Sequence, residues 1–423
     1  MFTLVANPNV ATWAISALAT AGVIIRPFSW PEAIWAVLGA LALLALGLIG
    51  PGVAWTGVVK GLDVYLFLTG MMLLAETARQ EGLFDWLAAH ATRRAKGSPT
   101  RLFLLIYGVG VVVTTFLSND ATAVVLTPAV AAAVKTAKVK DPLPYLFICA
   151  VIANAASFVL PISNPANLVI YGTHMPPLLQ WLPRFAIPSL LSIAATYAVL
   201  RFTQRSALNA DTVEKDVETP TLSGNGKLAA GGIGLTAVAL LVASGLDFQL
   251  GMPTAVCGIL TAIAVLIRKR SNPWNTIKDV SWGVLPLVAG LFVLVEALDK
   301  TGLIAMVGER LHALAEQSAT EAAWIAGVVI AFGCNVLNNL PAGLIAGSAV
   351  QTAHVSERVT SAILIGVDVG PNLSVTGSLA TILWLNALKR EGISVSAFRF
   401  LKLGIMVMPA ALLLALAGLL VTS

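Results

Sequence analysis

Two acidic residues interrupt long apolar stretches of this chain, each within a short polar segment. Asp120 follows Ser118-Asn119, and Asp368 is followed by Val369-Gly370-Pro371-Asn372. An ionised carboxylate in apolar surroundings costs several kcal/mol unless it is paired, hydrated or protonated. We therefore interpret Asp120 and Asp368 as groups that carry protons. The alternative for both is structural, a carboxyl group that caps a helix end.

Amides and hydroxyls cluster at four polar breaks, two of which contain the acids. Such groups suit a neutral polyhydroxyl solute or a dehydrated cation, and they could equally replace missing backbone hydrogen bonds. The candidate binding residues are Asn119, Asn154, Ser163, Asn164, Asn167, Asn338, Asn339, Asn372, Ser374, Thr376, Gly377 and Ser378. The three cysteines lie in apolar sequence without metal-ligand spacing, so no metal or cofactor is predicted.

The composition places these residues inside a lipid bilayer. Apolar residues make up 57% of the chain and charged residues 11%, and the mean hydropathy is +0.86. Stretches long enough to cross about 30 Å of hydrocarbon recur from end to end, for example 281–298 and 403–421. The class is therefore an all-α polytopic membrane protein. The basic residues lie in short loops beside the spans, which excludes nucleic acid as a partner.

Loop charge predicts the orientation of the spans. When the loop that holds Arg79 and Arg101 is placed in the cytoplasm, all but five of the 26 Lys and Arg residues fall on that side. Basic residues concentrate in cytoplasmic loops of membrane proteins. The exceptions are Lys60, Arg184, Lys300, Arg310 and Arg358.

The two halves of the chain carry one pattern, displaced by 220 positions. This offset superposes Asn119 on Asn339, Gly70 on Gly290 and Glu76 on Glu296. With the predicted orientation, matched loops lie on opposite sides of the membrane. The pattern therefore predicts two inverted-topology repeats, which are common in secondary carriers that hold solute near the midplane.

Each half is predicted to contain about five transmembrane helices plus one re-entrant helical hairpin, with broken helices at the midplane. A flexible cytoplasmic linker without apolar periodicity joins them. The predicted bounds are 1–202 for the first repeat (hairpin 102–134, broken helix 143–171), 203–227 for the linker and 228–423 for the second repeat (hairpin 322–350, broken helix 361–385).

The motifs at the four breaks resemble those of the bacterial arsenite and antimonite efflux permeases of the ion-transporter superfamily. They are Phe116-Leu117-Ser118-Asn119-Asp120-Ala121 with Leu126-Thr127-Pro128, Ser163-Asn164, Asn338-Asn339-Leu340-Pro341, and Asp368-Val369-Gly370-Pro371-Asn372 with Thr376-Gly377-Ser378-Leu379-Ala380-Thr381. The resemblance implies a multi-pass protein of the bacterial inner membrane that expels trivalent arsenic or antimony, with coupling to protons. It also implies that a separate soluble arsenite-stimulated ATPase sometimes assists. Asn154 stands where this family often carries an acid.

Other functions compete with this interpretation. A sodium/proton antiporter of the same superfamily would use Asp120 and Asp368 for exchange, and a carrier of another small solute or anion would use the same breaks. A passive channel could share the repeats but would not move solute against a gradient. An intramembrane hydrolase is disfavoured because the sequence has no HExxH or GxSxG motif, so no enzymatic activity is expected.

Overall fold

All regular structure in the described part of the chain is helical. A computed structural model describes residues 7–172, 175–215 and 217–422. Seven of its helices are long and apolar enough to span a bilayer, or eight if two helices that meet at 45° count as one. The all-α, multi-span class is thereby confirmed.

The helices before residue 211 are α1 (Pro8–Ile25), α2 (Glu32–Ala45), α3 (Pro51–Lys60), α4 (Leu62–Gln80), α5 (Leu83–Arg94), α6 (Pro99–Leu117), α7 (Asn119–Ala121), α8 (Thr127–Thr136), α9 (Leu143–Ala155), α10 (Pro165–Tyr171) and α11 (Leu178–Ala210). Those after it are α12 (Gly224–Gly245), α13 (Gly251–Lys269), α14 (Trp274–Ile277), α15 (Val284–Lys300), α16 (Leu303–Gln317), α17 (Ala319–Leu337), α18 (Asn339–Ala353), α19 (Glu357–Val369), α20 (Leu379–Arg390) and α21 (Ala397–Thr422). A π-helical turn, Thr122–Leu126, joins α7 to α8.

Helices from both halves pack together, and those near the start of each half form a different group from those near its end. Helix α4 lies along α13 and α15 along α2, whereas α11 lies along α21 and α17 along α19. We call α1 to α4 with α12 to α15 the early-helix group, and α6 to α11 with α17 to α21 the late-helix group. Helices α5 and α16 contact both groups. Each group therefore contains matched elements from the two halves.

Matched glycines permit the closest crossings in the early-helix group. A Cβ atom on Gly70 would lie 2.2 Å from the carbonyl oxygen of Thr254 in α13. On Gly290 it would lie 2.7 Å from the carbonyl carbon of Ala36 in α2. Because real Cβ contacts are longer, both positions require glycine, and they are the pair that the 220-residue offset matches.

The two hairpins turn at positions that are also matched. Ser118 and Asn338 both adopt positive φ, 96° and 72°, at the ends of α6 and α17. The hairpin helices extend over 99–136 and 319–353, slightly beyond the predicted bounds. Ser98 and Ser318 explain the early starts, because their side chains accept hydrogen bonds from the backbone N–H of Arg101 and Glu321 and cap the helices.

Both broken crossings contain two helices separated by a short 3₁₀ turn. The first comprises α9, Pro161–Ser163 and α10, and the second comprises α19, Gly370–Leu373 and α20. Side chains cap the second helix in each: Asn164 accepts from Ala166 N, and Ser378 from Thr381 N. These caps satisfy backbone N–H groups that lipid could not.

The linker is shorter than predicted. Helix α11 continues to Ala210 and α12 begins at Gly224, and the described residues between them, 211–215 and 217–223, have no regular structure. Val213 and Val217 are buried there, and Glu214 pairs with Lys138 at 3.0 Å. The sequence pattern misses these contacts because two isolated valines have no periodicity.

Replacing Gly70 with alanine tests the helix crossing. The added methyl group would overlap the α13 backbone, so we expect Gly70→Ala to destabilise the protein by about 1–3 kcal/mol and lower its melting temperature in detergent. Gly108→Ala is the matched control, because nothing lies within 4 Å of the position that a methyl group would take there on α6. Equal melting temperatures for the two variants would contradict this packing.

Candidate functional site

A small cavity of about 20 Å³, lined by both polar and apolar residues, lies between the two helix groups. The late-helix group contributes its polar wall and the early-helix group an apolar wall. The polar wall consists of Asn119, Asp120, Asn164, Pro165, Asn339, Leu340 and Leu379, and the apolar wall of Leu68, Val284 and Val288. Both hairpin tips and both broken crossings therefore reach one space.

A larger vestibule of about 70 Å³ adjoins this cavity. Asp120, Leu68 and Val284 line both spaces, whereas Glu76 and Asp279 line only the vestibule. Glu76 lies near the end of α4 that the loop charges place in the cytoplasm. With that orientation, the vestibule leads from the cytoplasmic side to Asp120.

The side chains at the two hairpin tips have unused hydrogen-bonding groups. Asn119 Oδ1 accepts from Asp120 N at 2.9 Å, but its Nδ2 has no partner among the described residues. Asn339 is held through its backbone N–H, which donates to Gly377 O at 2.8 Å, and its side-chain amide has no partner within the same residues. Both amides can therefore bind a solute in the cavity.

Three helices begin at residues that line this cavity, although caps already pair some of their first N–H groups. The continuous helical segment 119–136 begins at Asn119, α18 begins at Asn339 and α20 begins at Leu379. The first N–H groups of a helix lack intrahelical partners and carry partial positive charge. These ends favour solutes with oxygen acceptors.

Asp368 lies outside the cavity and has no exposed surface. Asn164 Nδ2 donates to Asp368 Oδ1 at 2.6 Å, which joins the first broken crossing to the second. A parallel link joins Asn154 Nδ2 to Asn372 Oδ1 at 3.0 Å. The two acids are therefore in different settings: Asp120 reaches the vestibule, whereas Asp368 is enclosed by protein.

Three of the buried oxygen atoms in this network accept no hydrogen bond from the described part of the chain. They are Asp368 Oδ2, Asn154 Oδ1 and Asn167 Oδ1. Unpaired buried acceptors carry a desolvation cost of about 1–3 kcal/mol each. A proton on Asp368 would remove the larger cost of a buried charge.

The other candidate residues hold the breaks in shape. Ser163 Oγ donates to Thr115 O, and Asn167 Nδ2 donates to Ser157 O, each at 2.9 Å. In the second half, Asn338 Nδ2 donates to Thr376 O at 3.2 Å, and Ser378 caps α20. Gly377 has no room for a side chain, because a Cβ atom there would lie 2.5 Å from Pro371 Cα.

Asn335 is a structural residue that the sequence pattern did not single out. Its Oδ1 accepts from Ser374 Oγ at 2.7 Å, and its carbonyl oxygen accepts from Thr376 Oγ1 at 2.8 Å. Its Nδ2 also donates to Gly370 O. Thr115 and Asn335 are 220 positions apart, and each accepts a hydroxyl from its own half's break, so the repeat offset could have identified Asn335.

The matched acids Glu76 and Glu296 both pair with cations. Glu76 accepts two hydrogen bonds from Arg79, and Arg79 also lies 3.5 Å from Asp279. Glu296 accepts from Lys60 Nζ at 2.6 Å. Both pairs lie near helix ends, so they offset charge there and form no part of the cavity.

Helices long enough to span a bilayer, with amide and carboxyl groups in a cavity between their two groups, are typical of a membrane transporter. The citrate transporter family matches residues 20–368, and the chain belongs to that family. The chain is also 27% identical over 399 residues to the arsenical pump membrane protein of Escherichia coli K12, covering 91% of this chain and 92% of that protein. A putative arsenical pump membrane protein of Bacillus subtilis is 25% identical over 92% of this chain and 94% of its own.

These relatives confirm the resemblance found in the sequence, and the protein is a multi-pass protein of the bacterial inner membrane. Among solved structures, the YdaH transporter of Alcanivorax borkumensis superposes with a TM-score of 0.59 at 15% identity, over 98% of both chains. That likeness supports the fold. The names of the relatives describe transporters and pumps, in agreement with a protein that is not an enzyme.

Replacing Asn335 tests its role as the support of the second break. Asn335→Ala removes its side-chain hydrogen bonds to Ser374 and Gly370, which are partly buried, so we expect a loss of about 1–2 kcal/mol in unfolding free energy. Thr352→Ala is the control, because that exposed hydroxyl bonds only within its own helix. A melting temperature for Asn335→Ala no lower than that of the control would contradict the assignment.

Proposed function

We propose that the protein exports trivalent arsenic and antimony, as the neutral hydroxides, from the cytoplasm in exchange for protons. The observation that carries this proposal is the composition of the cavity wall. It combines two unpaired amides, helix N-termini and one carboxyl group, and none of the described residues that line it is Lys or Arg. Such a site suits a small uncharged polyhydroxyl solute.

Arsenous acid is uncharged at neutral pH and offers three hydroxyl groups. Each hydroxyl can accept a hydrogen bond from Asn119 Nδ2, Asn339 or a helix N-terminus, and can donate one to an oxygen of Asp120. A thiol site would hold trivalent arsenic too tightly for release. Cys149 and Cys334 are fully buried and line neither the cavity nor the vestibule.

Citrate, the solute in the family's name, is less suited to this site. It carries several negative charges, and a buried anion needs paired cations or many donors. The vestibule instead presents Glu76, Asp120 and Asp279, with no Lys or Arg among its described lining residues. Helix N-termini offset only part of a multiple charge.

Asp120 is the proposed point of exchange between solute and proton. It lies where the vestibule meets the cavity, so a proton bound there can leave to the cytoplasm before solute binds. Asp368 is proposed as a second coupling group. Its link to Asn164 holds the two broken crossings together, and a change in its charge would alter that link.

Alternating access follows from the two packing groups. The polar wall belongs wholly to the late-helix group and the apolar wall to the early-helix group. We propose that the late-helix group, with both hairpin tips, moves against the early-helix group and carries the cavity to the other side. Because the two repeats are inverted, the movement would connect two end states of equivalent structure, one open to each side.

The function can be tested in inside-out vesicles that contain only this protein. We expect arsenite and antimonite to accumulate under an imposed acid-inside ΔpH without ATP, and accumulation to collapse with the gradient. Because no ATPase is present, the result also shows whether an ATPase subunit is required. Citrate uptake with no arsenite accumulation would overturn the proposal.

A second candidate is sodium/proton antiport, favoured by the three unpaired buried oxygens of Asp368, Asn154 and Asn167. Carboxylate and carbonyl oxygens are ligands for hard cations. In the same vesicles, this function would appear as proton movement driven by a sodium gradient. Sodium-driven proton flux without arsenite transport would favour it.

Replacing Asn339 tests the location of the solute site. Asn339→Ala removes an amide that faces the cavity, and we expect the apparent affinity for arsenite to fall about 5- to 30-fold, equivalent to about 1–2 kcal/mol. Asn386→Ala, on α20 away from the cavity, is the matched control. Unchanged arsenite affinity in Asn339→Ala would place the site elsewhere.

A further inference from the structure

The apolar wall of the cavity contains a matched pair from the two halves. Leu68 of α4 and Val288 of α15 both line the cavity and are 220 positions apart. Their side chains are 4% and 0% exposed. Val64 and Val284 are matched by the same offset, but only Val284 lines the cavity. Within the apolar wall, Leu68 and Val288 are therefore the one matched pair of which both members line the cavity.

We propose that Leu68 and Val288 form a fixed apolar barrier, and that the proton and solute site moves past it during transport. This inference rests on the alternating access described above. The barrier belongs to the early-helix group, whereas every polar group of the cavity belongs to the late-helix group. Two matched residues lie on opposite sides of the pseudo-twofold axis, so they face the cavity in both end states.

The 220-residue match also identifies the residues of the route to the outer side, which the proposal takes to be closed in this structure. The vestibule runs from Leu68 past Met72 to Glu76 on α4. Matched residues continue from Val288 past Phe292 to Glu296 on α15. Phe292 packs against Tyr65, with ring centroids 6.3 Å apart, and Glu296 pairs with Lys60, so these side chains occupy part of that route. In the outward-facing state, Phe292 and Glu296 would take the places that Met72 and Glu76 occupy here.

The apolar character of these two side chains explains how they would act as a barrier. Leu68 and Val288 offer no hydrogen bond to a hydroxyl group, so a solute can slide past them without being held. They also leave no polar group to support a continuous chain of water, which would conduct protons and dissipate the gradient. The barrier would therefore keep solute and proton movements coupled.

Truncating both side chains tests the barrier. In proteoliposomes without arsenite, we expect the double variant Leu68→Ala, Val288→Ala to dissipate an imposed ΔpH several-fold faster than the unmodified protein, because the enlarged gap admits water. Leu104→Ala is the control, since that side chain is exposed on α6 away from the cavity. A leak equal to that of the control would overturn the barrier. The readout needs no arsenite, so it stands apart from the test of the transported solute.

The accessibility of introduced cysteines provides a second test if the double variant fails to fold. In a background with Cys149, Cys257 and Cys334 replaced, a membrane-impermeant thiol reagent should modify Met72→Cys only from the cytoplasmic side and Phe292→Cys only from outside. Leu68→Cys should react from both sides. Modification of Leu68→Cys from one side alone would contradict a barrier shared by both states.

Discussion

Backbone groups freed at four helix breaks have no bulk water to bond inside a bilayer, and this constraint explains most of the polar residues in the chain. Asn167 and Ser378 satisfy such groups within their own crossings, and Ser163 donates to Thr115 O of the first hairpin. Asn164 does more, because it caps α10 and also donates to Asp368 of the other half. The polar groups that close the breaks thus also join the halves. Only the few that remain unpaired are available for a solute.

The repeat explains why those unpaired groups face one space. Matched helices of the two halves pack together, so both hairpin tips and both broken crossings meet between the early-helix and late-helix groups. The halves differ where the chemistry requires it. Asp120 matches Leu340 under the 220-residue offset, so a single acid lies at the hairpin tips. With the predicted orientation, that acid is reached from the cytoplasm through the vestibule.

Much of the architecture could be predicted because membrane helices and their breaks leave a strong local signal. The four breaks and the offset of Gly70 and Gly290 were visible in the sequence. The division between cavity-lining and supporting residues was not, because it depends on which groups are already paired in three dimensions. Asp120 and Asp368 looked alike in sequence, yet only Asp120 lines a cavity. The position of Leu68 at the cavity could not be predicted, because nothing in the sequence distinguishes it from the other apolar residues of its helix.

In the proposed mechanism, Asp120 is the group that couples solute to proton. The most direct test compares two activities of Asp120→Asn in inside-out vesicles: exchange of labelled for unlabelled arsenite, and net accumulation driven by an acid-inside ΔpH. We expect arsenite exchange to survive, because the amide preserves the shape of the cavity, and ΔpH-driven accumulation to be lost. Full accumulation by this variant would contradict the assignment of coupling to Asp120.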